Sequence, residues 1–205
     1  GSWANTTKLT TKAWRFELFY WDYGFGILIT TLLLAFTLGS IGPEGRAFLD
    51  DIKQAGASNI LSAFAGGIIF NLANILLVAA IAIAGMSVAF PVGIGIALVL
   101  GVVVNYISNP QGNPVLIFGG VALIALAILL NARAYQKLQT NSATGVSKKG
   151  LILSVVSGCL MGLFYKYVAG SMVTNFNVPD AGKLTPYTAL VIFAIGIVIS
   201  SFLFN

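Results

Sequence analysis

Charge is what this chain lacks most. Only 8% of its 205 residues are charged, and from Gln54 to Ala132 there is no Asp, Glu, Lys or Arg at all. A soluble domain needs charged residues to cover its surface, so the run excludes a water-soluble fold for this stretch. It is long enough to cross a bilayer about three times at roughly 20 residues per helix. Histidine is absent, which removes His-ligated metal sites, His-activated nucleophiles and His proton relays together. The one cysteine, Cys159, lies in an apolar segment, so no disulfide forms within the chain. Carboxylates number six, none of them paired within an apolar run, and no phosphate-cradling glycine loop is present. Gly93-Ile94-Gly95 is not a dinucleotide fingerprint, because no strand precedes it. Together these absences argue against an enzyme, and no cofactor or metal is expected.

What is present is apolar: 58% of the residues are hydrophobic. The chain reads as an all-α, polytopic membrane helix bundle, one domain with about six full spans and the stub of another before them. The spans are expected at Trp21–Ile41, Asn59–Ala84, Ser87–Ile107, Val115–Tyr135, Leu151–Met172 and Thr185–Phe204. The aromatic cluster Phe19-Tyr20-Trp21-Asp22-Tyr23 suits the headgroup level at the start of the first. Phe48, Leu49 and Ile52 share a face of the segment Ala47–Lys53, with Asp50, Asp51 and Lys53 pointing elsewhere. That pattern suits a short helix lying in the interface. Gly85-Met86 predicts a tight hairpin, and Asn109 to Pro114 a turn cluster. A basic polar loop is expected from Gln136 to Lys149.

The net charge of +5 comes from cations in short loops and does not indicate nucleic-acid binding. Lys8, Lys12, Arg15, Arg133, Lys137, Lys148 and Lys149 fall on one side. Arg46, Lys53, Lys183 and Lys166 fall on the other. The positive-inside rule places the first group in the cytoplasm. A faint internal similarity lays Gly1-Ser2-Trp3-Ala4 on Gly162-Leu163-Phe164-Tyr165. An odd number of helices lies between the two, so such a repeat is inverted, as in secondary transporters.

The polar exceptions inside the apolar run carry the functional signal, since amides and helix breakers are costly in hydrocarbon unless they face protein or a cavity. Asn71 and Asn74 are three residues apart and share a helix face, which Gly67 and Val78 extend. Two amides below a small, smooth patch suit a solute cavity. Interhelical hydrogen bonding uses the same residue types, and the sequence leaves both roles open. Asn105, near a helix end, reads as a cap or an interface group. Pro91 removes a helix hydrogen bond and frees a carbonyl near residue 87, for ligand contact or simply for a packing kink. Lys166 lies within the fifth span between two tyrosines, either as a functional cation or as a lysine snorkelling to the interface. Asp22 is the carboxylate at the lip of a span, either the candidate for proton or substrate contact or an ordinary interfacial residue. Gly158 and Gly162 form a helix-packing motif.

Two segments carry a family resemblance. One is Phe16-Glu17-Leu18-Phe19-Tyr20-Trp21-Asp22-Tyr23, running on to Gly39-Ser40. The other, more specific, is Gly66-Gly67-Ile68-Ile69-Phe70-Asn71-Leu72-Ala73-Asn74, running on to Ala89-Phe90-Pro91-Val92-Gly93-Ile94-Gly95. They resemble the ureide permease-like and sugar-porter branch of the drug/metabolite transporter superfamily. The resemblance implies ten helices in two inverted five-helix repeats around a central cavity. The first repeat would run to about Tyr135 and the second would begin at Gly150. It also implies that Trp3, Asn5, Asn71, Asn74 and Pro91 line that cavity, that Gly1 to Asn5 ends the first helix, and that the chain stops after the seventh. Plant members carry a large cytosolic loop with a nucleotide-like motif, and the loop from Gln136 to Lys149 is short and lacks it.

The sequence therefore predicts a multi-pass protein of the cell membrane, embedded in lipid. It would move a small neutral polar metabolite (a ureide, nucleobase or sugar) by secondary active, alternating-access transport. Asn71, Asn74, Trp3, Asn5, Pro91 and Gly67 would form the substrate site, with Asp22 and Lys166 as coupling or gating groups. Scarcity of buried charge favours an uncharged solute over an anion. A non-transporting membrane scaffold, with the asparagines bonded to neighbouring helices, is the alternative.

Overall fold

The computed structural model describes residues 16–42, 44–139 and 147–204. It is all-helical, with seven helices among those residues: α1 (Phe16–Phe36), α2 (Phe48–Gln54), α3 (Ala57–Ala84), α4 (Met86–Ser108), α5 (Pro114–Gln139), α6 (Lys148–Ser171) and α7 (Pro186–Phe204). All but α2 are long and apolar enough to cross a membrane. Helices are the expected solution, because hydrocarbon offers the backbone no partner outside its own segment. Serine and threonine hydroxyls follow the same rule by bonding back into their helices: Thr30 to the Gly26 carbonyl at 2.7 Å, Ser154 to Gly150 at 2.9 Å and Ser200 to Gly196 at 2.7 Å.

The helix ends follow local chemistry. Asn113 caps α5 by accepting from the Val115 amide at 2.9 Å, with Pro114 at the first helical position, where its missing N–H matters least. Gly85 takes φ +82° between α3 and α4, giving the tight connection expected there. The first span departs from expectation, starting at Phe16 rather than Trp21 and ending at Phe36 rather than Ile41. The aromatic cluster therefore lies within the helix. Side chains then close the C-terminus: Thr37 Oγ1 donates to Leu33 O at 2.6 Å and Ser40 Oγ to Ala35 O at 2.7 Å.

The chain divides into two compact units: residues up to Ile68 with those from Val168 onward, and Ile69–Tyr167. In the first, α7 is the most buried span and the organising helix. Ala35, Phe48 and Val191 form one core cluster, and Ala63, Leu184, Ala189 and Ile192 another. Gly24 of α1 lies 3.7 Å from Val198 by the position a Cβ would take, and Trp21 packs its ring edge-on against Phe202 at 4.5 Å. The N-terminal part of α3 crosses α7 glycine on glycine. A Cβ on Gly67 would run into the Phe193 carbonyl, and one on Gly196 into that of Phe64.

In the second unit the remaining part of α3 packs with α4, α5 and α6 through further close approaches. A Cβ on Gly158 would meet the Gly93 carbonyl at 2.5 Å, and one on Gly162 would meet the Ala97 carbonyl at 3.1 Å. The packing motif read at Gly158 and Gly162 thus joins α6 to α4. Gly95 accommodates the Ile128 side chain of α5. No residue of α5 from Pro114 to Asn131 is buried, so α5 is this unit's outer wall.

The interfacial reading of α2 needs a correction. Phe48 is buried and Ile52 partly so, but Leu49 is exposed and Asp51 is fully buried. Hydrogen-bond donors waiting on that side draw the carboxylate inward, overriding the apolar periodicity. The segment Gly1 to Asn5, which carries half of the proposed repeat, lies outside the described residues.

Candidate functional site

Asn71 and Asn74 sit one turn apart on α3 in the second unit, 0% and 1% exposed, so neither opens to solvent here. Both side chains have partners, and no buried side-chain polar atom among the described residues lacks one. That satisfaction lets two primary amides reside in an apolar interior. Their surroundings are close-packed. Ser157 of α6 donates to the Ala73 carbonyl between them at 2.7 Å, and Phe70 meets Phe164 edge-on at 5.1 Å. A Cβ on Gly93 of α4 would come within 2.8 Å of Leu77.

Each amide offers a carbonyl acceptor and two donors, the complement of a solute bearing amide or hydroxyl groups. Every charged residue of this unit whose side chain is described (Arg133, Lys148, Lys149 and Lys166) is exposed. The interior around the amides is therefore polar without being charged. Pro91 is half-buried inside α4, one turn beyond its start, with buried Gly93 and Gly95 following.

Gly67 belongs to the first unit, where α7 backbone covers it. Asp22 is exposed on α1 beside Trp21, which stacks on Phe25 at 5.7 Å. Lys166 is exposed on α6 between exposed Tyr165 and Tyr167. Trp3 and Asn5 lie outside the described residues. No cluster of three or more Cys, Asp or Glu suited to a metal ion occurs among the described residues.

Sequence reasoning missed a second polar centre, at one end of the first unit. Asp51 Oδ1 accepts from Arg46 at 2.9 Å and from Gln54 Nε2 at 3.1 Å. Its Oδ2 accepts from the Thr185 amide at 2.8 Å and from Thr185 Oγ1 at 3.1 Å. Arg46 also donates to the carbonyls of Pro179, Asp180 and Lys183 at 2.9, 3.2 and 3.4 Å. Gln54 donates to Lys183 O at 2.9 Å and accepts from the Gly182 amide at 2.6 Å. The local signal was weak: the two charges are five residues apart, and apart from Gln54 their partners lie more than a hundred residues away.

Six apolar spans, with a pair of buried amides in a part of the interior that holds no described charge, mark a multi-pass membrane protein. The ureide permease family profile matches residues 19–149, and the chain belongs to that family, one of permeases and not of enzymes. It is 28% identical over 224 residues to ureide permease 3 of Arabidopsis thaliana, covering 95% of this chain and 64% of that protein. It is 29% identical over 146 residues to ureide permease 1 of the same plant, covering 70% and 37%. With the probable ureide permease A3 of Vigna unguiculata it shares 31% over 135 residues, covering 63% and 36%. The chain thus spans between about a third and two thirds of the length of these relatives. No solved structure matches it.

Proposed function

We propose that this chain belongs to a secondary active permease for a small, neutral, polar solute, with ureides as the first class to test. The observation that carries the reading is the pair of buried amides one turn apart in an uncharged interior, within a family of permeases. Asn71 and Asn74 would exchange their protein partners for those of the solute, so that few hydrogen bonds are lost on binding. Pro91 would supply the bend in α4, and Gly67, expected in the substrate site, would act by holding α3 close to α7. Trp3 and Asn5 complete the proposed substrate site, and Asp22 and Lys166 are the proposed coupling or gating groups.

The wider assignment is also part of this proposal: a place in the drug/metabolite transporter superfamily, ten helices in two inverted repeats, alternating access, and residence in the cell membrane. Helices with interrupted hydrogen bonding near a midplane site are the usual machinery of such carriers. Nucleobases and sugars remain in the substrate class because the amides recognise their groups equally well.

The test is uptake of labelled allantoin, uracil and glucose by cells expressing the full-length protein. Asn71→Ala combined with Asn74→Ala should lower uptake about tenfold or more, the loss expected when a solute's polar groups go unpaired. Surface abundance and thermal stability of the variant are measured alongside. Unchanged uptake would assign the two amides to helix packing alone.

A further inference from the structure

The polar centre around Asp51 has no part in solute binding as proposed, yet it is the most heavily bonded feature of the first unit. It joins two connections that are far apart in sequence. One runs from the end of α1 through α2 to the start of α3. The other is the loop from Met172 to Thr185, between α6 and α7. Gly182, at φ +81°, turns both sides of its peptide toward the first connection. Its amide donates to Gln54 Oε1 at 2.6 Å, while its carbonyl accepts from the Gly56 amide at 2.7 Å and from Asn59 Nδ2 at 2.8 Å. The base of the loop is closed separately, by Val173 N to Leu184 O at 2.9 Å and Leu184 N to Ser171 O at 3.0 Å. At the other side Ser40 Oγ accepts from the Phe48 amide at 3.1 Å, tying the end of α1 to the start of α2.

Neither carboxylate oxygen of Asp51 is short of donors, and Arg46 spreads its donors over Asp51 and three loop carbonyls. The Arg46 side chain is 19% exposed and that of Asp51 fully buried. Parting the two connections would break the Thr185 bonds to Asp51 Oδ2, the Arg46 bonds to three loop carbonyls and the bonds of Gln54, Gly56 and Asn59 to Lys183 and Gly182 together, while Asp51 keeps only Arg46 and Gln54 of its own connection, so opening is strongly disfavoured.

We propose that this clasp is a permanently closed cap, which makes the end of α1, α2, the start of α3, the last turn of α6 and the start of α7 move as one rigid body. Solute then never passes through the seam between the segment from Arg46 to Asn59 and the loop from Met172 to Thr185. The proposal rests on the permease reading for its meaning in transport, but its rigidity is measurable without transport.

Two measurements on the full-length protein test it. In a background freed of other cysteines, including Cys159→Ala, exposed Ser58→Cys and Ala181→Cys are joined by a short methanethiosulfonate cross-linker. A closed cap predicts that the cross-link forms readily and leaves uptake unchanged. Uptake that is abolished by the cross-link and regained on reduction would overturn the proposal. In parallel, hydrogen exchange is followed at the amides of Gly56, Gly182 and Thr185. They should be protected in the wild type and exchange at least about tenfold faster in Asp51→Ala, with the same behaviour in the conservative Asp51→Asn setting the contribution of charge. Wild-type exchange as fast as that of the loop tip at Asn175 to Val178 would also overturn it. If no solute is taken up even without the cross-linker, the permease reading fails, and the exchange data decide the cap alone.

Discussion

The two units of this chain draw on the same apolar residue types but are held together differently. The first, with α1, α2 and α7, combines a glycine crossing in its spans with a buried ion pair and a dense set of hydrogen bonds at its end. The second, with α4, α5 and most of α6, contains no ion pair among its described residues and relies on glycine-lined contacts and a few hydroxyl bonds. The difference follows from solvent. Irregular backbone at the end of a bundle has carbonyls and amides to satisfy, which charged and amide side chains do well. Regular helices in hydrocarbon have satisfied backbones, and attraction between them comes from close packing.

Substitutions graded by expected effect test this contrast. The largest loss should follow Asp51→Ala, about 3–5 kcal/mol of unfolding stability in detergent, because it leaves Arg46 and the Thr185 amide without their shared acceptor. A double variant, Arg46→Met with Asp51→Leu, should recover part of it, since an apolar pair of similar size strands no charge.

Glycine substitutions come next. Gly67→Ala and Gly158→Ala each force a methyl group against backbone, the Phe193 and Gly93 carbonyls respectively, and should lower stability by about 1–3 kcal/mol. Gly95→Ala meets only the Ile128 side chain, which can move, so its loss should be smaller in the same assay. Equal losses at all three positions would mean that backbone approach is not what sets the helix spacing.

Ser157→Ala should cost about 0.6 kcal/mol, the usual worth of one interhelical hydrogen bond in a membrane. Lys53→Ala should leave unfolding unchanged. Its pairing with Asp50 spans 3.8 Å between largely exposed side chains, where water and salt screen the attraction. If Asp51→Ala proves no worse than Ser157→Ala, the contrast between the units collapses.

Much of the architecture was legible in the chain, because hydropathy and length decide which segments can span a bilayer. The spans at α3, α4 and α7 begin and end within two residues of their expected limits, and α6 begins three residues before its own. α1 was misplaced because an aromatic-rich, charge-flanked stretch reads equally well as interface or as first helical turns. The site was legible only in part. Periodicity put Asn71 and Asn74 on one face, but their burial depends on which helix faces them. Gly67 looked like a smooth patch in the sequence, and only its crossing with Gly196 shows what fills the space. Asp51 was read as pointing away from the core because helical periodicity counts apolar residues and has no knowledge of donors brought in from Thr185.

By itself the sequence determined that this is a multi-pass, all-helical membrane protein of the ureide permease family with amides in its apolar run. Local hydrophobicity and backbone satisfaction within each helix suffice for that, and both are short-range properties. Only the tertiary structure decided that Asp51 is buried against Arg46 and Thr185, that Gly67 is a contact rather than an open surface, and that the chain closes into two units by different means. Those outcomes depend on partners far apart along the chain, brought together by helix packing rather than by any local pattern.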